Sequence, residues 1–133
     1  MTRLSFFTIL VVIFFDQFSK YFADKLLFVT CNEGIALGIG IGSILLPTLV
    51  VLLIFWQLTK EKKAEPNFGL SLIFAGGISN LADRVIFGCV RDFIPFINLS
   101  RFNLADLAIT FGVLFIVYDT AKDYFGIRSK STK

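Results

Sequence analysis

Four apolar stretches divide this chain, and each is about as long as a lipid bilayer is thick. They run over about 4–22, 35–58, 68–87 and 102–118. A helix needs roughly 20 apolar residues to cross the hydrocarbon, so a chain of 133 residues has little left for anything else. Hydrophobic residues make up 56% of it, Phe occurs 17 times, and only 17% is charged. Soluble domains carry roughly a quarter charged residues, and small ones bury only about two-thirds of their chain surface. The sequence therefore predicts an all-α membrane protein with four transmembrane helices, forming one integral membrane domain over residues 1–133.

The first stretch opens on LSFFTILVVIFF after a single Arg, a pattern shared with secretory leaders. Phe18, Tyr21 and Phe22 extend it to spanning length and no small-residue cleavage site follows, so it is expected as a retained helix. Lysine and arginine set the orientation. Arg3, Lys60, Lys62, Lys63, Lys122, Arg128, Lys130 and Lys133 fall on one side of a four-span weave, eight of the 13 basic residues. Both termini are thus expected in the cytoplasm. The net charge of +3 reflects this asymmetry. Basic residues are not interleaved with aromatics, so no nucleic-acid partner is expected.

Ionisable groups inside spans are expensive and mark function by default. In this weave every such group reaches the outer leaflet. Asp16 ends the first span, Asn32 precedes the second, and Asn80, Asp83 and Arg84 close the third. Asp92 lies in the next connection, while Asn103 and Asp106 open the fourth span. Asn80, Asp83 and Arg84 stand one turn apart on one helix face, as do Asn103 and Asp106. Asp16–Lys20 and Asp83–Arg84 can equally be read as structural ion pairs. The chain has no histidine, which excludes Ser–His and Cys–His nucleophilic sites and removes the commonest metal ligand. Two facing carboxylates sharing a proton can still hydrolyse an amide, with no metal or cofactor.

The segments DQFSK (16–20), NEGIALGI (32–39), GGISNLADRVIFGCVRDFI (76–94) and FNLADLAI (102–109) resemble the lipoprotein signal peptidase family, also called signal peptidase II. The blocks occur in the family's order across about seventy per cent of the chain. The resemblance implies an aspartyl endopeptidase of the bacterial inner membrane, with its site near the periplasmic face. Such an enzyme removes the signal peptide from a diacylglyceryl-modified prolipoprotein, cutting before the lipidated cysteine, and is inhibited by globomycin. The catalytic pair falls on Asp92 and Asp106. Asn32, Asn80 and Arg84 are then expected as substrate contacts, and Asp16, Asp83 and Asn103 as braces. The partners implied are the lipid-modified prolipoprotein and membrane lipids, with no cofactor, and the protein is expected to act as a monomer. One departure stands out. Only eleven residues separate Lys20 from Asn32, where the family has a longer segment forming a small β-cradle. The link from Asp92 to Asp106 is short too, so a reduced periplasmic element is expected, with LLFVT (26–30) as one short strand.

Cys31 and Cys89 read first as small apolar fillers, and next as a structural disulfide. A thiol oxidoreductase is the rival enzyme class, but it wants closely spaced cysteine pairs. A proton or ion carrier is the rival non-enzyme class. Carriers string acids through the membrane depth, whereas the inner halves of these spans are bare of them.

Overall fold

The structure is a computed structural model that describes residues 3–26, 29–33, 42–60, 64–97 and 100–125. Four helices dominate it: α1 (Arg3–Leu26), α2 (Gly42–Lys60), α3 (Ala64–Phe87) and α4 (Leu104–Tyr124). Four three-residue strands fill the connections: β1 (Thr30–Asn32), β2 (Val90–Asp92), β3 (Ile94–Phe96) and β4 (Ser100–Phe102). Among the described residues three helices, Arg3–Leu26, Phe68–Phe87 and Leu104–Tyr124, are long and apolar enough to cross a membrane, and Ile44–Lys60 is a shorter apolar helix. The expected start of the second span, at 35–41, lies outside the described residues. Helix α1 extends the expected stretch by one and four residues at its two ends and α3 by four at its start, whereas α4 begins two residues later and runs six further.

Burial is inverted relative to a soluble protein. Phe7, Phe14, Leu53, Phe111 and Leu114 face outward, whereas Asp16, Lys20, Asp83 and Asn103 are fully enclosed. Water would make this surface aggregate, but lipid solvates it, and helices satisfy their own backbone groups there. The chain is an integral membrane protein.

Helix α3 contacts all three others. Lipid supplies no hydrophobic drive between helices, so small residues that allow close backbone approach take over. A methyl added at Gly76 would lie 2.4 Å from the Ala105 carbonyl oxygen, and one at Gly112 would lie 2.7 Å from the Gly69 carbonyl oxygen. Phe68 and Phe115 meet edge to face at 5.3 Å between centroids, and the Phe55 and Phe74 rings, tilted by 32°, lie 5.8 Å apart. Helices α3 and α4 are thereby held at a spacing that brings the Asn80 turn beside the start of α4.

Gly88 stops α3. At φ +79° it adopts the left-handed conformation, and its N–H closes the last turn on the Arg84 carbonyl at 3.1 Å. The chain turns at once into β2, which pairs antiparallel with β1 in the register Thr30↔Asp92, Cys31↔Arg91, Asn32↔Val90. Strand β3 pairs with β4 (Ile94↔Phe102, Pro95↔Arg101, Phe96↔Ser100), and the Phe93 N–H donates to the Phe102 carbonyl at 3.2 Å.

Two expectations are corrected here. The short strand shares only Thr30 with the described part of LLFVT: Leu26 ends α1, Val29 is outside the strand, and 27–28 lie outside the described residues. Ala23 is buried and Lys25 reaches back one turn to Tyr21, so helical packing outweighs the β-branched bias of the segment. Nor are the cysteines separate fillers. The β1–β2 register brings Cys31 and Cys89 to a Cα separation of 5.5 Å, and they form a disulfide.

Candidate active site

The sequence Phe-Asn-Leu-Ala-Asp (102–106) starts a helix in a chemically informative way. Asn103 is the N-cap in extended conformation, and its side-chain oxygen accepts the Asp106 N–H at 3.0 Å. The Asp106 carboxylate reciprocates by accepting the Asn103 N–H at 3.2 Å, completing a capping box. This fixes both side chains and leaves the Asn103 amide nitrogen free to donate elsewhere. It donates to Asp92 Oδ1 at 2.7 Å and to Asn80 Oδ1 at 3.1 Å. One asparagine thus ties the two acids to a common frame, through its amide to Asp92 and through its backbone to Asp106.

Each carboxylate accepts a second amide. Asn32 donates to Asp92 Oδ2 at 3.0 Å, and Asn80 to Asp106 Oδ1 at 2.8 Å. Asp92 is almost fully buried, Asp106 half-buried. Burial pushes the Asp92 carboxyl above the ordinary carboxylate range; the Asn32 and Asn103 donors oppose this, the negative Asp106 adds to it, and Lys20 opposes it.

Beneath the acids lies a buried ionic floor. Lys20 Nζ reaches Asp16 Oδ2 at 2.7 Å, Asp83 Oδ2 at 3.1 Å and Asn80 Oδ1 at 3.0 Å, using all three ammonium donors. Asp16 also accepts the Ser79 hydroxyl at 2.6 Å and the Ala105 N–H at 2.8 Å. The expected Asp16–Lys20 pair is present. Asp83 and Arg84 do not pair, because adjacent helical residues point apart. Asp83 instead meets Arg91, whose Nη2 reaches Asp83 Oδ1 at 2.8 Å and whose backbone N–H donates to Oδ2 at 3.0 Å. Arg84 sends Nη1 toward the Asn80 carbonyl at 3.5 Å, and its buried Nε has no partner among the described residues.

Asp16, Asn32, Asn80, Asp83, Asp92, Asn103 and Asp106 therefore join one hydrogen-bonded cluster, with Arg84 at its edge. Three members were not singled out from sequence: Arg91, Gln17 and Ser79. Arg91 also binds Asp24 at 2.8 Å and Gln17 Oε1 at 3.0 Å, and lies over the Phe87 ring. Gln17 Nε2 in turn donates to the Ser79 hydroxyl at 2.9 Å and to Asp83 Oδ1 at 3.1 Å. Gln17 and Ser79 lay inside the quoted motifs, beside the acids they serve.

Comparison with known proteins follows this geometry. The sequence profile described as Signal peptidase (SPase) II matches residues 8–122. The chain belongs to the signal peptidase II family. The lipoprotein signal peptidase of Brucella ovis is 29% identical over 140 residues, covering 86% of this chain and 88% of that protein. That of Desulforapulum autotrophicum is 44% identical over 77 residues, covering 53% of this chain and about half of the relative, 48%. Among solved structures, a bacterial membrane enzyme determined by the in meso method at 2.3 Å superimposes with a TM-score of 0.83 at 25% identity, covering 98% of this chain and 94% of its own. A second, at 1.9 Å resolution, gives 0.81 at 26% identity, with 90% and 94% covered. Membership of the signal peptidase II family makes this protein a membrane peptidase.

Proposed function

We propose that the protein is an aspartyl endopeptidase that removes the signal peptide from diacylglyceryl-modified prolipoproteins, cutting before the lipidated cysteine. Asp92 and Asp106 are the catalytic pair. The observation that carries this reading is their convergence on Asn103 from separate elements, each with a second amide donor and neither in the ion pairs of the floor beneath.

The chemistry needs one proton between the two acids. Burial of Asp92 beside a second carboxylate favours retaining that proton toward neutral pH, and the pair titrates jointly. The ionised member removes a proton from water as its oxygen attacks the scissile carbonyl carbon. The protonated member donates to the carbonyl oxygen, giving a neutral tetrahedral diol. Collapse breaks the C–N bond: a proton passes to the departing amine of the cysteine, and the signal peptide leaves with a new carboxyl group. Asn80, with its amide bonded to Lys20, Asn103 and Asp106, acts as a brace in this scheme. Arg84, with a buried and unpartnered Nε, is the better candidate for a substrate carbonyl contact.

Four spans with both termini cytoplasmic put the site at the periplasmic face of the inner membrane, in one domain that works as a monomer. Two features support this side. The Cys31–Cys89 disulfide lies beside Asn32, and disulfides persist in oxidising compartments. At the opposite end stand Arg3, Lys60 and Lys122, and an excess of basic residues marks the cytoplasmic side.

The deciding experiment is cleavage of a lipidated prolipoprotein by the purified protein and by Asp92→Asn and Asp106→Asn. Loss of turnover by roughly 10²- to 10⁴-fold in each, the range for a general acid or base, is expected. Normal turnover in either variant removes the dyad, and equal cleavage of the unlipidated precursor removes the lipid requirement. Globomycin should inhibit the wild type. Proton flux in substrate-free liposomes dependent on Asp16 would favour a carrier instead.

A further inference from the structure

We propose that the Cys31–Cys89 disulfide is a positioning device for the cleavage site. It holds β1 so that the Asn32 amide stays on Asp92, and it makes proteolysis depend on the redox state of this one bond. The inference rests on Asp92 being one of the two cleaving carboxylates.

The two strands that meet at Asp92 are anchored very differently. Strand β2 is fastened many times over: Arg91 binds Asp83, Gln17 and Asp24, Asp92 binds Asn103, and the Phe93 N–H binds the Phe102 carbonyl. Strand β1 has three residues, all exposed, so apolar burial does not hold it. A two-stranded ribbon of that length is not stable by its hydrogen bonds alone. The disulfide adds a covalent attachment beside the ladder. Cys31 is the immediate neighbour of Asn32, and Cys89 precedes Val90, the residue opposite Asn32 in the ladder. The covalent link therefore bears on the residue that places an amide 3.0 Å from Asp92 Oδ2.

Reduction breaks the S–S bond with two electrons and two protons. It yields the Cys31 and Cys89 thiols while dithiothreitol closes to its cyclic disulfide. Strand β1 then retains its ladder bonds but loses the crosslink, and the Asn32 amide leaves Asp92 for part of the time. Asp92 keeps the Asn103 donor. The charged groups that act on it are Asp106 on α4 and Lys20 on α1, with Arg91 adjacent on β2, and reduction alters none of their charges. Loss of one donor to the ionised acid moves the alkaline limb of the rate profile to higher pH.

The test measures kcat, KM and the pH profile for lipidated prolipoprotein cleavage by the full-length protein. It compares the oxidised protein, the same protein after dithiothreitol, the double variant Cys31→Ser/Cys89→Ser, Asn32→Ala, and the triple combination. Reduction is expected to lower kcat by about three- to tenfold, the effect of one lost hydrogen bond. The serine double variant should show the same loss and no response to dithiothreitol. Asn32→Ala should match it, and the triple variant should be no worse than Asn32→Ala. The alkaline limb is read in the serine variant, because free thiols themselves titrate near pH 8.5. A reduction loss that persists in Asn32→Ala would overturn the proposal, as would unchanged kcat and pH limb on reduction. Should the serine variant fail to fold, reduction of the folded wild type still decides the matter. Normal cleavage by oxidised Asp92→Asn would sink the catalytic reading itself. Redox-insensitive cleavage alongside an inactive Asp92→Asn sinks the positioning role alone.

Discussion

Near the Gly88 end of α3 the helices are joined by charge and amide, while near its Phe68 end they are joined by shape. At the first end Lys20 is enclosed by Asp16, Asp83 and Asn80, and Ser79 and Gln17 fill the gaps. At the second, Gly69 and Gly112 let the α3 and α4 backbones touch, with Ile73, Ile116 and the Phe68–Phe115 pair around them. Both solutions answer the same problem, because lipid does not drive helices together. They differ in what they can specify. Apolar packing fixes distance, but hydrogen bonds also fix direction, and the proposed cleavage needs two carboxylates aimed at one carbonyl. The polar end is therefore where orientation is built, at the risk of burying charge.

The most damaging way to break the polar end is to remove its cation. Lys20→Met leaves Asp16 and Asp83 enclosed without the ammonium between them, and removing one partner of a buried pair costs about 3–5 kcal/mol. Arg91 still serves Asp83, so the uncompensated charge is chiefly that of Asp16. Lys20→Met should fail to accumulate or melt far below the wild type. Adding Asp16→Asn to it should recover much of the loss, because a neutral set replaces an orphaned charge. Thermal unfolding in detergent decides it: if the double variant is no better than the single, the ionic account of this end is wrong.

The next comparison uses one substitution at both ends. An alanine methyl at Gly76 meets the Ala105 carbonyl and lies 2.8 Å from Ile109 Cγ1; at Gly112 it meets the Gly69 carbonyl and Ile73 Cγ1 at 2.6 Å. Overpacking of this kind costs about 1–3 kcal/mol at either site. Activity should separate them. Gly76→Ala displaces Ala105, whose N–H binds Asp16 and whose neighbour is Asp106, so kcat should fall by an order of magnitude or more. Gly112→Ala shifts a region remote from the acids and should keep most of its turnover at temperatures where it is folded. Equal loss of kcat in both variants would mean that the two ends are not independent.

This division also explains how much was readable from sequence. The acids and amides of the site stood out because each interrupts an apolar run, and an apolar run makes every polar residue conspicuous. Spacing showed that Asn103 and Asp106 share a face, but the capping box that locks them required the backbone. Arg91 is not assignable to the site from sequence because it lies outside the apolar stretches, where charge is ordinary. Its fork toward Asp83, Gln17 and Asp24 depends on how β2 folds back after Gly88. The disulfide ranks only second among the sequence readings of the cysteines for the same reason, since 58 residues separate them and only the β1–β2 register brings them together. Long-range pairing outside the membrane leaves no periodic trace. Arg91→Lys checks the point. A point-like ammonium cannot reproduce the fork, so a destabilisation of about 1–2 kcal/mol is expected by chemical or thermal unfolding. A neutral result would reduce Arg91 to a surface charge.

The smallest expected effect is a gain. Burial raises the Asp92 carboxyl above its ordinary range in the folded protein, against the pull of its amide donors. A carboxyl raised on folding favours the folded state when protonated, and that contribution is complete below the unfolded value of about 3.9. It is lost as pH climbs through the higher folded value, so at neutral pH an ionised Asp92 destabilises the fold. Asp92→Asn removes the charge. Asn at this position keeps a side-chain oxygen to accept the Asn103 amide. The variant should therefore be inactive yet melt a few degrees above the wild type at pH 8, with the difference vanishing near pH 4. Asp16→Asn at the ionic floor should do the opposite and lower the melting temperature at pH 8, because Asp16 is directly paired with Lys20. A lower melting temperature for Asp92→Asn at pH 8 would mean that its amides outweigh its burial, and that Asp92 belongs to the stabilising frame.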